Sequence, residues 1–354
     1  MLAQMLAVVG RRRTLAAAAL ASVAGICSQS LGQPTESGDF LAGLRDEAAR
    51  LAPLIHTDAG REWSIATARL TPITPRSIWF RQEPRAILSA AEYAALPEAE
   101  RAGFTERPIT DQTYYATNFG TPLCYARALD IAAEAAGLET FNGARVLDYG
   151  YGQIGQVRML AACGAEVVGV DPAAGLRARY SLPEDQGAYP PHAGAGESTG
   201  PRGAVTLVSG YWPGEPETAA AVGTGFDAII ARNVLKHGYV RPIGEVPPGS
   251  QINLSCTDEE FLKAVFDALN PGGALVIYNL GGPRLRDGAY DPSADINCPW
   301  TRGALEAAGF EVLAFDMDDS EPTRQHAVVF GWAQKTDPLG SQWFSLYTLV
   351  RKPR

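Results

Sequence analysis

Val146-Leu147-Asp148-Tyr149-Gly150-Tyr151-Gly152-Gln153-Ile154-Gly155 passes from an apolar strand into a helix, and its reading decides the fold. Glycines let a backbone turn tightly and approach a ligand, and the start of a helix offers unpaired N–H groups. A second strand follows and ends in Val168-Gly169-Val170-Asp171. A carboxylate at the tip of that strand, 21 residues after Gly150, is placed to accept hydrogen bonds from both hydroxyls of a ribose.

Outward from this pair, strands and helices alternate. Apolar runs at 145–149, 166–170, 204–209, 226–231 and 274–279 read as strands, and 310–315 and 345–350 as two closing strands. Between them, Thr257 and Glu260 form a capping box, and Phe261, Leu262, Val265, Phe266 and Leu269 share one helical face. Thr121-Pro122 opens a helix that Gly137 stops, and 301–308 is a helix stopped by Gly309. Such alternation predicts an open, mostly parallel α/β sheet. Upstream, residues 33–120 read as a mainly helical extension, with an amphipathic helix near 38–55 and a helical patch near 90–102. The Gly/Pro-rich segment 182–203 reads as a long surface loop or lid.

Gly150-Tyr151-Gly152-Gln153-Ile154-Gly155 satisfies the GxGxxG of a dinucleotide-binding turn, which would make the chain a nicotinamide-dependent oxidoreductase. Asp148 favours another ligand, because an acidic neighbourhood suits an ammonium group better than a pyrophosphate. The same residues resemble motif I of class I S-adenosylmethionine-dependent methyltransferases. The resemblance continues through Gly225-Phe226-Asp227 with Ala231-Arg232-Asn233-Val234-Leu235, then Leu269-Asn270-Pro271-Gly272-Gly273, then Ala308-Gly309-Phe310. It covers about 200 residues, and the motifs stand in the family's order. It implies a Rossmann-like doubly wound, seven-stranded, mostly parallel sheet with an antiparallel last strand over 121–354. It also implies S-adenosyl-L-methionine as cofactor, held by Asp148, Gly150, Gly152, Gly155, Asp171, Tyr211 and Asn233. Two departures stand out. The third glycine comes one place late, and Ser209-Gly210-Tyr211-Trp212 replaces the usual acidic adenine contact, leaving Tyr211 to stack on the base. Asn233 is not followed by Pro-Pro-Tyr, the signature of enzymes that methylate exocyclic amines of nucleic-acid bases.

The 354 residues carry a net charge of −9, which argues against a protein that binds nucleic-acid phosphates. The expected partner is a small-molecule substrate. Arg11-Arg12-Arg13 followed by an apolar run at 14–26 and Ser30-Leu31-Gly32 reads as an export signal over 1–32, similar to a twin-arginine signal. The run is too short for stable membrane insertion, so a periplasmic or otherwise exported location is expected, or a cytoplasmic one if the gene start lies further downstream. Export sets a second expectation beside methyl transfer to a small-molecule or envelope acceptor: a non-catalytic binder of a nucleoside-like ligand on the same fold. Five cysteines, none in a CxxC pair, give no metal-ligand pattern.

Methyl transfer to an O–H or N–H acceptor needs a base. His237, just past the fourth strand, is the candidate catalytic residue, with Lys236 beside it read as a solvated charge. Tyr114, Tyr115, Tyr278 and Asn279 are further candidates to line the site.

Overall fold

A computed structural model describes residues 37–117, 120–189, 203–244, 246, 251–282, 285–286, 289–334, 340 and 342–354. The export-signal reading of 1–32 and most of the expected lid, residues 190–202, lie outside them. Three strands come before the glycine-rich motif: β1 (Arg76–Arg81), β2 (Ala86–Ser89) and β3 (Thr105–Ile109). Then follow β4 (Arg145–Tyr149), β5 (Glu166–Val170), β6 (Gly187–Tyr189), β7 (Gly203–Val208), β8 (Phe226–Arg232) and β9 (Leu269–Gly281). A two-stranded ribbon of β10 (Leu285–Arg286) and β11 (Ala289–Tyr290) precedes β12 (Glu311–Asp318) and β13 (Phe344–Arg351).

The main sheet has the order β12-β13-β9-β8-β4-β5-β7-β6. β4, β5, β7, β8 and β9 run parallel, and β13 is antiparallel to β9, as expected for the last strand. The sheet carries one strand more than the expected seven, because three residues of β6 add antiparallel to the edge of β7. The chain winds outward from β4 to β5 and β7, then returns to β8 on the other side of β4. Ligands of open α/β sheets bind at the carboxyl ends of the strands beside such a switch point.

Two of the recognised motifs serve the opposite edge. Asp227 accepts the Arg145 amide (2.8 Å) and the Asn270 side-chain amide (2.8 Å), tying β4, β8 and the turn into β9 together. A Cβ on Gly273 would stand 2.7 Å from the Phe226 carbonyl, so that turn has room only for glycine. These residues shape the sheet and stand away from its ligand edge.

Each face of the sheet has its own core. On one, Leu147, Val168, Ile229 and Leu275 pack with Phe261, Leu262 and Val265 of the Asp258–Ala268 helix, whose capping box forms as expected. On the other, Val146, Val167, Ile230 and Val276 meet Leu129 and Val157 of the Ala126–Ala136 and Gly155–Ala162 helices. That second core continues without a break into the extension, through Leu41, Leu44, Leu51 and Trp63. The Trp63 indole donates to the Gln156 carbonyl (3.3 Å), and buried Asp130 accepts both the His56 and Thr57 amides (2.8 and 2.7 Å). The extension is thus a wall of the domain, with no break in the core at residue 120. It is also less helical than expected: β2-β1-β3 forms a small antiparallel sheet. Thr121, expected as a helix cap, instead donates its hydroxyl to Glu47 of the extension (2.6 Å). The start of the expected lid is pinned too, since Asp185 is buried against Arg76 (2.7 Å) and the Tyr114 hydroxyl (2.6 Å).

Candidate active site

The end of β4 makes the turn that its sequence demands. Gly150 and Gly152 both adopt left-handed backbone, with φ of 71° and 56°. The Gly150 amide donates to the Val170 carbonyl (2.8 Å), so the turn is tied to the tip of β5. A Cβ on Gly150 would lie 2.6 Å from Val234 Cγ1, whereas one on Gly152 would meet nothing closer than 3.9 Å. Gly150 therefore lets the loop after β8 close over the turn, and Gly152 leaves an open approach. Below them, the Gln156 amide donates both to Asp148 Oδ2 and to the Tyr151 carbonyl (2.8 Å each), which locks the loop onto the strand.

Several buried polar atoms around this loop have no partner among the described residues: Asp148 Oδ1, Gln153 Oε1, Gln156 Oε1 and Arg232 Nε. Leaving such groups unpaired is costly, so a ligand bound beside them would gain by supplying the missing bonds. Three are acceptors, one of them on a carboxylate, and the fourth belongs to a guanidinium. Asp148 is 2% exposed. Burial pushes its carboxyl up to about 7, against the Gln156 hydrogen bond and with added repulsion from Asp171. Burial also raises Asp171, opposed by the Ala173 amide, which donates to Oδ1 (2.9 Å). Two crowded carboxylates call for a cation, and the nearby Arg232, over the Tyr125 ring at 5.3 Å, offers a partner for an anion. This donor set fits the amino-acid end of S-adenosylmethionine, whose ammonium and carboxylate would meet Asp148 and Arg232, with Asp171 left for the ribose.

Asn233 sits at φ 61°, a strained position that asparagine tolerates better than most residues. Its side chain accepts the Leu280 amide (2.7 Å), while its own amide donates to the Tyr278 carbonyl (2.9 Å). It therefore holds the ends of β8 and β9 together, directly before Val234. His237 opens a short helix, His237–Val240, where its Nδ1 stands 2.8 Å from Asp295 Oδ2. The Tyr290 hydroxyl donates to the same carboxylate oxygen (3.0 Å). The backbone brings the two segments of this pair together, as the His237 amide donates to the Asn297 carbonyl and the Gly238 amide to that of Asp295. A Cβ on Gly238 would be 2.0 Å from the Pro292 carbonyl, so only glycine allows this contact. Asp295 was missed in the sequence because nothing local marks an aspartate 58 residues downstream as a histidine's partner.

Other expected residues lie elsewhere. Gly155 begins its helix, where a Cβ would be 2.2 Å from Pro122 Cγ and 2.5 Å from the Tyr115 carbonyl. Its small size is explained by packing against the extension. Lys236, read as solvated, is 5% exposed. Its ammonium donates to the Leu280 and Ser293 carbonyls (2.5 and 3.2 Å), and burial, with Arg232 nearby, lowers it to about 7. Tyr114 and Tyr115 are core residues whose hydroxyls donate to Asp185 and to the Thr71 carbonyl. Tyr278 turns into a buried network with Asp319 and Thr323. Asn279 secures the Leu235 and Ile296 carbonyls (2.8 and 3.2 Å). Tyr211, three residues past the end of β7, is 39% exposed. Cys124, Cys163, Cys256 and Cys298 are free thiols.

Residues 125–315, more than half of the chain, match a family profile described as a methyltransferase domain. No curated protein sequence matches. Among solved structures, phosphoethanolamine N-methyltransferase 2 of Haemonchus contortus, in complex with S-adenosyl-L-methionine, is 14% identical. That alignment covers 83% of this chain and 74% of the other, with a TM-score of 0.38. The 1,6-didemethyltoxoflavin-N1-methyltransferase of Burkholderia thailandensis is 16% identical over 64% of this chain and 77% of the other, with a TM-score of 0.34. The (4+2)-cyclase SpnF is 20% identical over 64% and 80%, with a TM-score of 0.37.

Proposed function

The chain belongs to the S-adenosylmethionine-dependent methyltransferase family, and on that premise we propose that it methylates an O–H or N–H group of a small molecule, free or part of the cell envelope, with His237 as base. The observation that carries this reading is the His237–Asp295 pair. It stands at the carboxyl edge of the sheet, three residues past the Val234 that covers Gly150. Asp295 engages Nδ1 and fixes the ring, while Nε2 makes no hydrogen bond among the described residues and remains available to a substrate proton.

Bound cofactor supplies a methyl group already activated by a sulfonium. The chain aligns the acceptor, removes its proton at His237 Nε2 and stabilises the resulting imidazolium through Asp295. Asp148, Asp171 and the open turn at Gly152 hold the cofactor, and Tyr211 is the proposed surface for its base. Delivery of the folded chain out of the cytoplasm by the signal at 1–32 belongs to the same proposal, and cell fractionation tests it.

The decisive experiment supplies labelled S-adenosylmethionine and a panel of phenols, alcohols and amines to the wild type and to His237→Ala. The reading requires that transfer is lost in the variant while S-adenosylhomocysteine binding is kept. Undiminished transfer by His237→Ala would remove His237 from the mechanism.

A further inference from the structure

Lys236 is buried beside His237, and the chemistry proposed above makes no use of it. Its ammonium lies over the Tyr239 ring, 5.0 Å from the centroid, and enters no ion pair among the described residues. Burying a charge without a paired carboxylate is costly, and a lysine stem is long enough to carry its head to water. What the ammonium meets instead are two carbonyls: that of Leu280 (2.5 Å), at the end of β9, and that of Ser293 (3.2 Å), two residues before Asp295.

The two carbonyls belong to parts of the chain that are held very differently. Leu280 is fixed in the sheet: its amide donates to the Asn233 side chain (2.7 Å), and it pairs with Ser345 of β13. Ser293 lies in a single short turn, Pro292–Ala294, whose start is capped by Asp291, the acceptor of the Ser293 amide and hydroxyl (2.8 and 2.7 Å). The turn rests directly on the strand end, since a Cβ on Gly281 would stand 3.2 Å from the Ser293 carbonyl and 2.6 Å from Ile296 Cγ2. Downstream of Asp295, Asn279 and the His237 amide hold the Ile296 and Asn297 carbonyls. Upstream of it, the Lys236 ammonium is the clip between the turn and β9.

We propose that Lys236 is a positioning residue: its ammonium holds the Pro292–Ala294 turn against β9, so that the Asp295 carboxylate meets His237 Nδ1 in one orientation. The pair has little packing of its own to do this, because the His237 and Asp295 side chains are 31% and 16% exposed. Bonds from an ammonium to a carbonyl belong to the stronger, charge-assisted class, so one buried charge can do the work of several neutral contacts. An uncharged side chain of the same length would leave both carbonyls without their donor, a cost that the turn relieves by moving off the strand end. The role of Lys236 in methyl transfer rests on the reading of His237 as the base, whereas its role in holding the pair does not.

The pair carries a signature that needs no substrate. A carboxylate only accepts, so Nδ1 bears the proton between the two groups, and a ring N–H held in such a bond gives its own downfield proton resonance. In the full chain with isotope-labelled histidine, that resonance is identified by its loss in His237→Gln. Lys236→Met fills the same space and suits a buried position, so it should melt cooperatively and yet lose or broaden the resonance. Its kcat should fall by roughly 10–10²-fold, with the KM for S-adenosylmethionine within about twofold. In Lys236→Ala, added propylammonium replaces the missing stem and charge and should restore the resonance, whereas propanol should not. Three results would overturn the proposal: no such resonance in the wild type, an unchanged resonance in Lys236→Met, or recovery with propanol equal to that with propylammonium. If the resonance depends on Lys236 as expected but no acceptor is methylated, the positioning role stands and the reading of His237 as base falls.

Discussion

His237 Nδ1 and Asp295 Oδ2 lie 2.8 Å apart, although 58 residues separate them in the chain. The contact is built by backbone as much as by side chains, since the segment around 291–298 is laced to residues 235–239 by amides, by Lys236 and by Asn279. Replacing Asp295 with Asn keeps the shape but removes the charge that would steady an imidazolium. Turnover should fall by roughly 10–10²-fold, and by roughly 10²–10⁴-fold in His237→Ala. S-adenosylhomocysteine affinity should be unchanged in both, as read by calorimetry. A loss of cofactor binding in either variant would mean that the pair has a structural role.

On the proposed cofactor reading, Asp148 links cofactor binding to pH. Its carboxyl is raised to about 7, and only the ionised form attracts an ammonium. Binding of S-adenosylhomocysteine should therefore weaken by up to about tenfold for each pH unit below 7 and release a proton near neutrality. Calorimetry in buffers of different ionisation enthalpy reads that proton directly. Asp148→Asn should bind weakly at every pH, and Asp171→Ala should lose detectable binding.

The stability of the cofactor-free chain contains two opposed titrations. Asp148 ionises near 3.9 in an unfolded chain and near 7 in the folded one, so the folded state holds the extra proton in between. Its contribution to stability is present at low pH and is lost as the pH rises through that window. His326 is the reverse. It is buried in the Ser320–Val329 helix, and burial, with Arg127 nearby, lowers it to about 4 from an unfolded value near 6.5. Its contribution is present above about 6.5 and is lost as the pH falls toward 4. Denaturant melts from pH 4 to 8 should show Asp148→Asn gaining stability at the neutral end and His326→Phe gaining it at the acid end.

Gly155 separates a packing role from a ligand role. Gly155→Ala places a methyl group against Pro122 and the Tyr115 carbonyl, an overpacking that should cost about 1–3 kcal/mol. The melting temperature should drop while cofactor affinity, measured well below it, stays within about twofold. Gly152→Ala should lower both, since a methyl there meets no protein atom closer than 3.9 Å but stands on the open approach, and alanine is strained at a φ of 56°.

Legibility in the sequence tracked the range of the interactions involved. The capping box at Thr257 and Glu260, the helix stop at Gly137 (φ 71°) and the turn at Gly150 are set by neighbours a few residues apart, and each could be read directly. The parallel centre followed from the alternation of strands and helices, and the antiparallel β13 from the resemblance to the methyltransferase family. What escaped depends on distant partners. Asp295 becomes a partner of His237 only when two loops meet, and Lys236 is buried only because the 291–298 segment covers it. β1 was hidden because its residues are all half-buried and its run of Ile78, Trp79 and Phe80 is bracketed by arginines, which blurs the alternation of a strand. The third glycine fits a ligand motif in sequence, but its tight contact is with Pro122, which sequence alone does not reveal.

The unbroken core between the extension and the sheet has a consequence for synthesis. Trp63 leaves the ribosome 93 residues before Gln156, whose carbonyl it needs, and the Leu41 and Leu44 face emerges earlier still. At about 5–20 residues per second, that apolar surface waits roughly 5–20 s for its partners. The first third of the nascent chain is therefore a natural client for chaperones, and the protein commits to its fold only once the glycine turn has been translated.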